Sequence, residues 1–177
     1  NRKNYKKTLI ITDSVFSMDG DIAPLPEIVE LAKQYDAMTY VDDAHGTGIL
    51  GEGGRGTVDY FGLNGQVDFT MGTLSKAIPV IGGYIAGSKA MKEWLLRNAR
   101  PILFSTCIPP AAIGAVIKIT ELMMDSTEQV DKLWENTNYF KEKLSGLGFN
   151  IGNSKTPIIP VIIGEEDKAV DFSNKLL

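Results

Sequence analysis

Apolar and polar positions along this chain follow two periods, and the change between them marks out its elements. Thr8 to Thr12, "TLIIT", is a short apolar run of the kind a buried strand shows. "DIAPLPEIVELAKQYDA" follows, with prolines at its start and Ile28, Leu31, Ala32 and Tyr35 at helical spacing. "MTYVDD" reads as a second strand. Strand, helix and strand over this length make a βαβ unit, which implies parallel pairing and a right-handed crossover. "VDFTMGT" is predicted as a third strand and "GGYIAG" as a fourth, giving a mostly parallel α/β sheet.

Helices dominate the later part. Ser88 is placed to cap a helix running through Arg97, and Ala111 to Met124 is so apolar that a buried helix is expected. "STEQVDKLWENTNYFKEKLSGLG" carries the stripe Val130, Leu133, Trp134, Phe140 and Leu144. Ser126 and Gln129 fit a capping box at its start, and Gly146 and Gly148 fit its stop. "PIIPVIIG" reads as a late strand, and "EEDKAVDFSNKLL" as an amphipathic helix without a C-cap. The pattern leaves the parallel-sheet section between Thr120 and Ser126, so two units are expected, residues 1–122 and 123–177. A strand almost at the start and an uncapped helix at the end predict an internal fragment of a longer chain.

Composition narrows the class. The chain has 177 residues, a net charge of -4 and an apolar fraction of 44%, ordinary for a globular protein. The acidic balance argues against a nucleic-acid or anionic-membrane partner. The most basic stretch, "NRKNYKK", reads as a solvated lead-in to the first strand. Cys107 is the single cysteine, so an internal disulfide is impossible and a reducing cytoplasm fits. No stretch approaches the roughly 20 apolar residues of a spanning helix, and no signal peptide opens the chain.

Ligands of open parallel sheets bind beyond the carboxyl ends of the strands. Ser17 and Asp19 follow the first strand. Asp42, Asp43 and His45 follow the second, and Thr73, Ser75 and Lys76 the third. Lys76 stands out, because no charged residue neighbours it from Met71 to Ala86. A lysine is nucleophilic only when neutral, and the apolar flank "AIPVIGG" offers desolvation that favours a Schiff-base role over a solvated loop lysine. Asp42 is either a loop cap or a carboxylate that keeps a ring nitrogen protonated, as pyridoxal phosphate requires. Strand alternation sends Asp42 and Asp43 to opposite faces, and the sequence leaves open which one faces a ligand. His45, the single histidine, is a donor to a ring oxygen, a stacking partner or a plain loop residue. A metal reading of "DDAH" lacks further ligands at familiar spacing, so no metal is expected. Thr73 and Ser75 suit either a phosphate or turn chemistry. "GEGGRG", Gly51 to Gly56, matches a dinucleotide fingerprint formally, but it does not follow a strand directly and precedes a poor helix opening. A glycine loop is the better reading. "DGD" at Asp19 to Asp21 is too little of a calcium loop.

"VDDAHGTGILGEGGRG", then "GTLSKA", then "RPILFSTCIPPA" together resemble the α-oxoamine synthase family of pyridoxal-phosphate enzymes. The resemblance runs from "TDSVFSMDGD" through "TPIIPVIIG". It implies a fold-type I transferase, with 1–122 part of the cofactor-binding large domain and 123–177 the start of the small C-terminal domain. It implies Lys76 as the Schiff-base lysine and α-proton base, and Asp42 as partner of the pyridinium nitrogen. His45 and Ser17 would bond the ring's phenolic oxygen, and Thr73 the phosphate. It also implies a homodimer with a shared site, in which Ser105 and Thr106 contact the other subunit's phosphate. The wording of "GLNGQVDFTMGTLSKA" is most similar to the glycine C-acetyltransferases, which condense glycine with acetyl-CoA to 2-amino-3-oxobutanoate and CoA. The 8-amino-7-oxononanoate synthases, using alanine and pimeloyl-CoA or -ACP for biotin synthesis, are the alternative. The family's glycine-rich phosphate loop, ring-stacking histidine and carboxylate-binding arginine do not fall within these residues. Pro79 departs from a position where relatives often have glycine, which removes an amide near Lys76. A pyridoxal-phosphate aminotransferase, using no CoA, is one rival. A non-catalytic nucleotide-binding or interaction module, needing no Lys76, is the other.

Overall fold

The computed structural model describes residues 5–176. A four-stranded sheet in the order β1-β2-β3-β4 organises the first half: β1 Leu9–Asp13, β2 Met38–Asp42, β3 Phe69–Thr73 and β4 Gly83–Gly87. β1, β2 and β3 run parallel, and β4 returns antiparallel to β3, so the sheet is mostly parallel as the sequence implies. The β1–β2 crossover is helix α1, Leu25–Gln34, which takes proline into its first turn where no amide partner is lost.

The core lies on one face of this sheet. Val41 of β2 packs with Ala23, Leu25, Val29 and Leu63, and Ile28, Val58, Phe61 and Val67 close around them. The buried face of α1 is therefore Leu25, Val29 and Ala32. This corrects the expected stripe: Leu31 and Tyr35 are 49% and 53% exposed. The helix begins at Leu25, and that entry sets its rotation on the sheet.

On the opposite face the register sets Ile11 beside Tyr40 and Tyr40 beside Phe69. The rings of Tyr40 and Phe69 stack at 6.1 Å. The same alternation ends this face on Asp13 and Asp42, which pair in register.

The glycine-rich stretch is an ordered turn. Glu52–Gly54 forms one 3-10 turn, and Gly48 N donates to Gly54 O at 2.7 Å. Gly54 has φ +82°, and a side chain there would meet the backbone of Gly48. A short helix, α2 (Thr57–Tyr60), follows despite the weak sequence signal.

Beyond β4 come α3 (Lys89–Asn98), α4 (Arg100–Phe104), α5 (Pro110–Asp125), α6 (Glu128–Gly146) and α7 (Glu166–Leu176). Ser88 caps α3 by accepting from Met91 N at 3.2 Å, as expected. α5 is not buried: none of its residues falls in the buried class, and Ile117 and Leu122 are 55% and 54% exposed. The expected capping box of α6 does not form. The helix starts at Glu128 with Thr127 at its N-cap, which places Ser126 one residue too early. Ser126 Oγ instead accepts from Glu128 N at 3.2 Å. Gly148 ends the helix with φ +83°, as the sequence implies.

"PIIPVIIG" forms no strand. Pro157 and Pro160 each lack the amide a ladder needs, and Ile162 N donates to Asn150 O instead. The residues just before this segment are fastened to the first half at Gly20, whose carbonyl accepts from Thr156 Oγ1 at 3.1 Å and Ser154 Oγ at 3.3 Å. Lys141 Nζ holds them from the α6 side, donating to Ser154 O at 2.7 Å and Thr156 O at 2.8 Å. The expected solvated lead-in falls partly on residues 1–4, outside the described residues; Tyr5 to Lys7 are exposed. Among the described residues, no helix is long and apolar enough to cross a membrane.

Candidate active site

The two aspartates that end β2 separate by alternation. Asp42 continues the open face of Tyr40. Its Oδ1 accepts from Ala44 N at 3.0 Å, which turns the chain toward His45. Asp43 points to the core side and is 2% exposed. Of the two, Asp42 is therefore the aspartate on the open face of the sheet and Asp43 the buried one.

The loop after β3 brings Lys76 to the same place. Residues 74–82 are closed at the neck by the β3–β4 pairing of Thr73 with Gly83 and by Leu74 N donating to Gly82 O at 2.9 Å. Leu74 and Ile78 turn inward and are buried, while Lys76 points out. The apolar flank therefore anchors the loop and does not cover the amine, which is exposed.

Lys76 Nζ lies 2.8 Å from His45 Nε2. Burial of the half-buried imidazole, and then the nearby Lys76 charge, push the His45 pKa below its ordinary 6.5, while Asp13 and Asp42 pull it upward. Amine, imidazole and two carboxylates thus share one field at the ends of three parallel strands.

Thr73 and Ser75 form a second cluster. Their hydroxyls lie 2.8 Å apart, Ser75 N donates to Thr73 Oγ1 at 3.3 Å, and Thr73 Oγ1 donates to Gly82 O at 3.3 Å. Ser17 sits in the turn after β1, exposed, in a loop tied by Phe16 N to Asp21 O at 2.9 Å. Asp19 is exposed in that same loop. Ser105 and Thr106 follow α4 and are exposed, and among the described residues no hydrogen bond joins them to the Lys76 cluster. Ser105 Oγ donates to Pro101 O.

Sequence reasoning missed Asp13 and Tyr84. The signal for Asp13 was present, because a strand ending in aspartate beside "YVDD" places both acids in register. Tyr84 gave no such signal. Its ring covers Gly72, and its hydroxyl lies 3.1 Å from Thr47 Oγ1.

The whole chain, residues 1–177, matches the family described as aminotransferase class I and II. The chain belongs to that family. Over its full length it is 69% identical to an 8-amino-7-oxononanoate synthase of Alkaliphilus metalliredigens and 66% identical to one of Alkaliphilus oremlandii, covering 45% of each. Among solved structures it is similar to a Sphingomonas wittichii serine palmitoyltransferase, with TM-score 0.86 and 34% identity over 93% of this chain and 42% of that one. An S. paucimobilis serine palmitoyltransferase with PLP and myriocin bound gives TM-score 0.85 and 32% identity, over 92% of this chain and 43% of that one. The chain spans about half the length of the curated relatives it matches.

Both kinds of relative are α-oxoamine synthases, so the family resemblance drawn from "VDDAHGTG" and "GTLSKA" holds, and with it a fold-type I architecture. That family is pyridoxal-phosphate dependent. The site chemistry fits the cofactor: an amine for its aldehyde, a carboxylate on the same face for its ring nitrogen, and a hydroxyl pair at a strand end for its phosphate. The finer expectation of a glycine C-acetyltransferase finds no specific support among these relatives, whose names favour the alternative.

Proposed function

We propose that the full-length protein is an 8-amino-7-oxononanoate synthase, condensing alanine with a pimeloyl thioester. The product has one carbon fewer than its two precursors together, so alanine's carboxylate leaves as carbon dioxide and the carrier leaves as free thiol. The observation that carries this reading over the glycine and acetyl-CoA one is the name shared by the relatives at 69%, 66% and 62% identity.

In this reading Lys76, His45 and Asp42 are the catalytic residues. Pyridoxal phosphate, when bound, supplies a protonated ring that draws electrons from the amino-acid α-carbon. Asp42 keeps the proton on the ring nitrogen, because a carboxylate beside a protonated nitrogen favours the charged form. Lys76 would hold the cofactor through its aldehyde, and its amine, when free, would take the proton from the amino-acid α-carbon and return one. His45, whose pKa burial and Lys76 lower, would with Ser17 bond the ring's phenolic oxygen without adding charge there. Thr73 would hold the phosphate, with the Ser75 hydroxyl 2.8 Å beside it. Ser105 and Thr106 would reach the phosphate held by the second subunit of a cytoplasmic homodimer. Residues 1–122 belong to the large domain and 123–177 to the small one.

The test is turnover by the full-length protein, read as thiol release. Alanine with pimeloyl-CoA is expected to exceed glycine with acetyl-CoA. Equal or faster turnover of the second pair overturns the substrate assignment. Amino transfer without thiol release returns the aminotransferase, and activity that survives Lys76→Ala removes the Schiff-base role.

A further inference from the structure

Asp43 does not face the ligand side, yet more of the site is built around it than around any group that does. Its Oδ1 accepts from Ser14 Oγ at 2.6 Å, its Oδ2 from Thr47 Oγ1 at 3.1 Å, and both oxygens from Thr57 N at 3.2 Å. These donors come from three separate segments: the turn after β1, the turn after His45, and the first residue of α2. Two glycines are shaped to the same carboxylate. A Cβ on Gly46 would lie 2.1 Å from its Oδ1, and one on Gly56 would lie 2.2 Å from its Oδ2. Its backbone is fixed as well, with Asp43 N donating to Met71 O at 2.8 Å and Asp43 O accepting from Thr47 N at 2.9 Å. Asp42 and His45 flank this point on either side along the chain.

We infer that Asp43 is a positioning residue: its buried carboxylate clamps Ser14, Thr47 and Thr57 and so fixes the turn that presents Asp42 and His45 to Lys76. A buried carboxylate is tolerated only where its lone pairs are filled, and here hydroxyl and amide donors fill them. The clamp is tight because Gly46 and Gly56 let three loops close on it. Without it, the turn between Asp42 and Thr47 keeps its backbone bonds but loses the ties that hold it against β1 and α2. Misplacement of a catalytic group by about 1 Å costs up to about 100-fold in rate.

The inference rests on the proposed function for its catalytic consequence, but its structural claim has an independent readout. The full-length protein is prepared with and without pyridoxal phosphate as Asp43→Asn and Asp68→Asn. Asn keeps the shape but replaces one acceptor oxygen with a donor. Asp68 is the control, because its Oδ2 accepts from Thr39 N and Thr39 Oγ1 at the far end of β2, away from the site. In the cofactor-free protein, the His45 ring proton signal is assigned by its loss in His45→Gln and titrated by NMR.

Asp43→Asn is expected to move the His45 midpoint upward toward 6.5, because a loosened turn rehydrates the imidazole and draws it from Lys76. Asp68→Asn is expected to lower thermal stability and leave that midpoint in place. In the loaded protein, Asp43→Asn is expected to cut kcat about tenfold or more and to shift the pH midpoint of the visible absorbance band, with a smaller change in KM. Where Asp43→Asn does not accumulate folded, Ser14→Ala removes a single donor and should move the His45 midpoint in the same direction by less. A His45 midpoint unchanged in Asp43→Asn, or in Ser14→Ala where that stands in, overturns the inference. Loss of the visible band in the parent protein with the His45 shift intact counts against the proposed function alone.

Discussion

Lys76 Nζ and His45 Nε2 lie 2.8 Å apart, although 31 positions separate them in the chain. A lysine ammonium has no lone pair to accept with, so when charged it donates and the imidazole nitrogen accepts. In that state the imidazole proton sits on Nδ1 and the neutral ring is the acceptor.

A pH dependence follows from this pair. The His45 pKa lies below 6.5 in the fold, through burial first and the Lys76 charge second. Between the folded midpoint and 6.5 the unfolded chain binds more protons, so stability rises with pH across that window and is lost as pH falls through it. NMR titration of the cofactor-free full-length protein should find the His45 midpoint below 6.5, and Lys76→Met should raise it. A midpoint above 6.5 would contradict the packing described here.

Lys76→Ala is expected to abolish the visible absorbance of the loaded protein and the borohydride-stable attachment of cofactor. Turnover should fall by about 100-fold or more, the range general-base removal produces. Mass spectrometry of the reduced protein checks attachment at this residue directly.

Asp42→Asn separates electrostatics from shape. Asn retains an oxygen for Ala44 N and keeps the half-buried side chain's shape, so thermal stability should change by no more than about 1 kcal/mol. Activity should nevertheless drop by orders of magnitude, because an amide cannot hold the ring proton in place. Parallel melting and rate measurements decide between this outcome and a merely structural Asp42.

Lys141→Met removes the lysine donor from the carbonyls of Ser154 and Thr156, leaving the latter only Ser154 Oγ at 3.3 Å, and should cost about 1–3 kcal/mol in chemical denaturation. Gly20→Ala attacks the same fastening from the other side. Gly20 has φ +72°, and a Cβ there would come within 2.3 Å of Ser154 Oγ. Both variants should loosen the loop that carries Ser17, seen as faster amide exchange from Ser17 to Asp21.

The sheet and its site were legible because their signals are local. "TLIIT" and "MTYVDD" mark strands by apolar runs, and the acids that follow mark the strand ends where ligands collect. The fate of Asp42 against Asp43 was not legible, since alternation gives opposite faces without saying which is covered. Only the packing of α1 and α2 on the Val41 side decides it. "PIIPVIIG" misled because β-branched residues outweighed two prolines, whose missing amides govern pairing. α5 misled because its composition reports hydrophobicity, not what lies against it. The capping box failed by a single residue: Thr127, the next hydroxyl along, took the N-cap position.

The return of β4 against β3 has a mechanical meaning for Lys76. A crossover helix would hang the amine between two distant supports, and any tilt of that helix would swing it. Here the two limbs of the loop meet at Thr73 and Gly83, like a noose drawn shut, with Leu74 and Ile78 as its knots. Both ends of the loop are thus fixed at one place on the sheet, which keeps its short span, and Lys76 on it, beside His45.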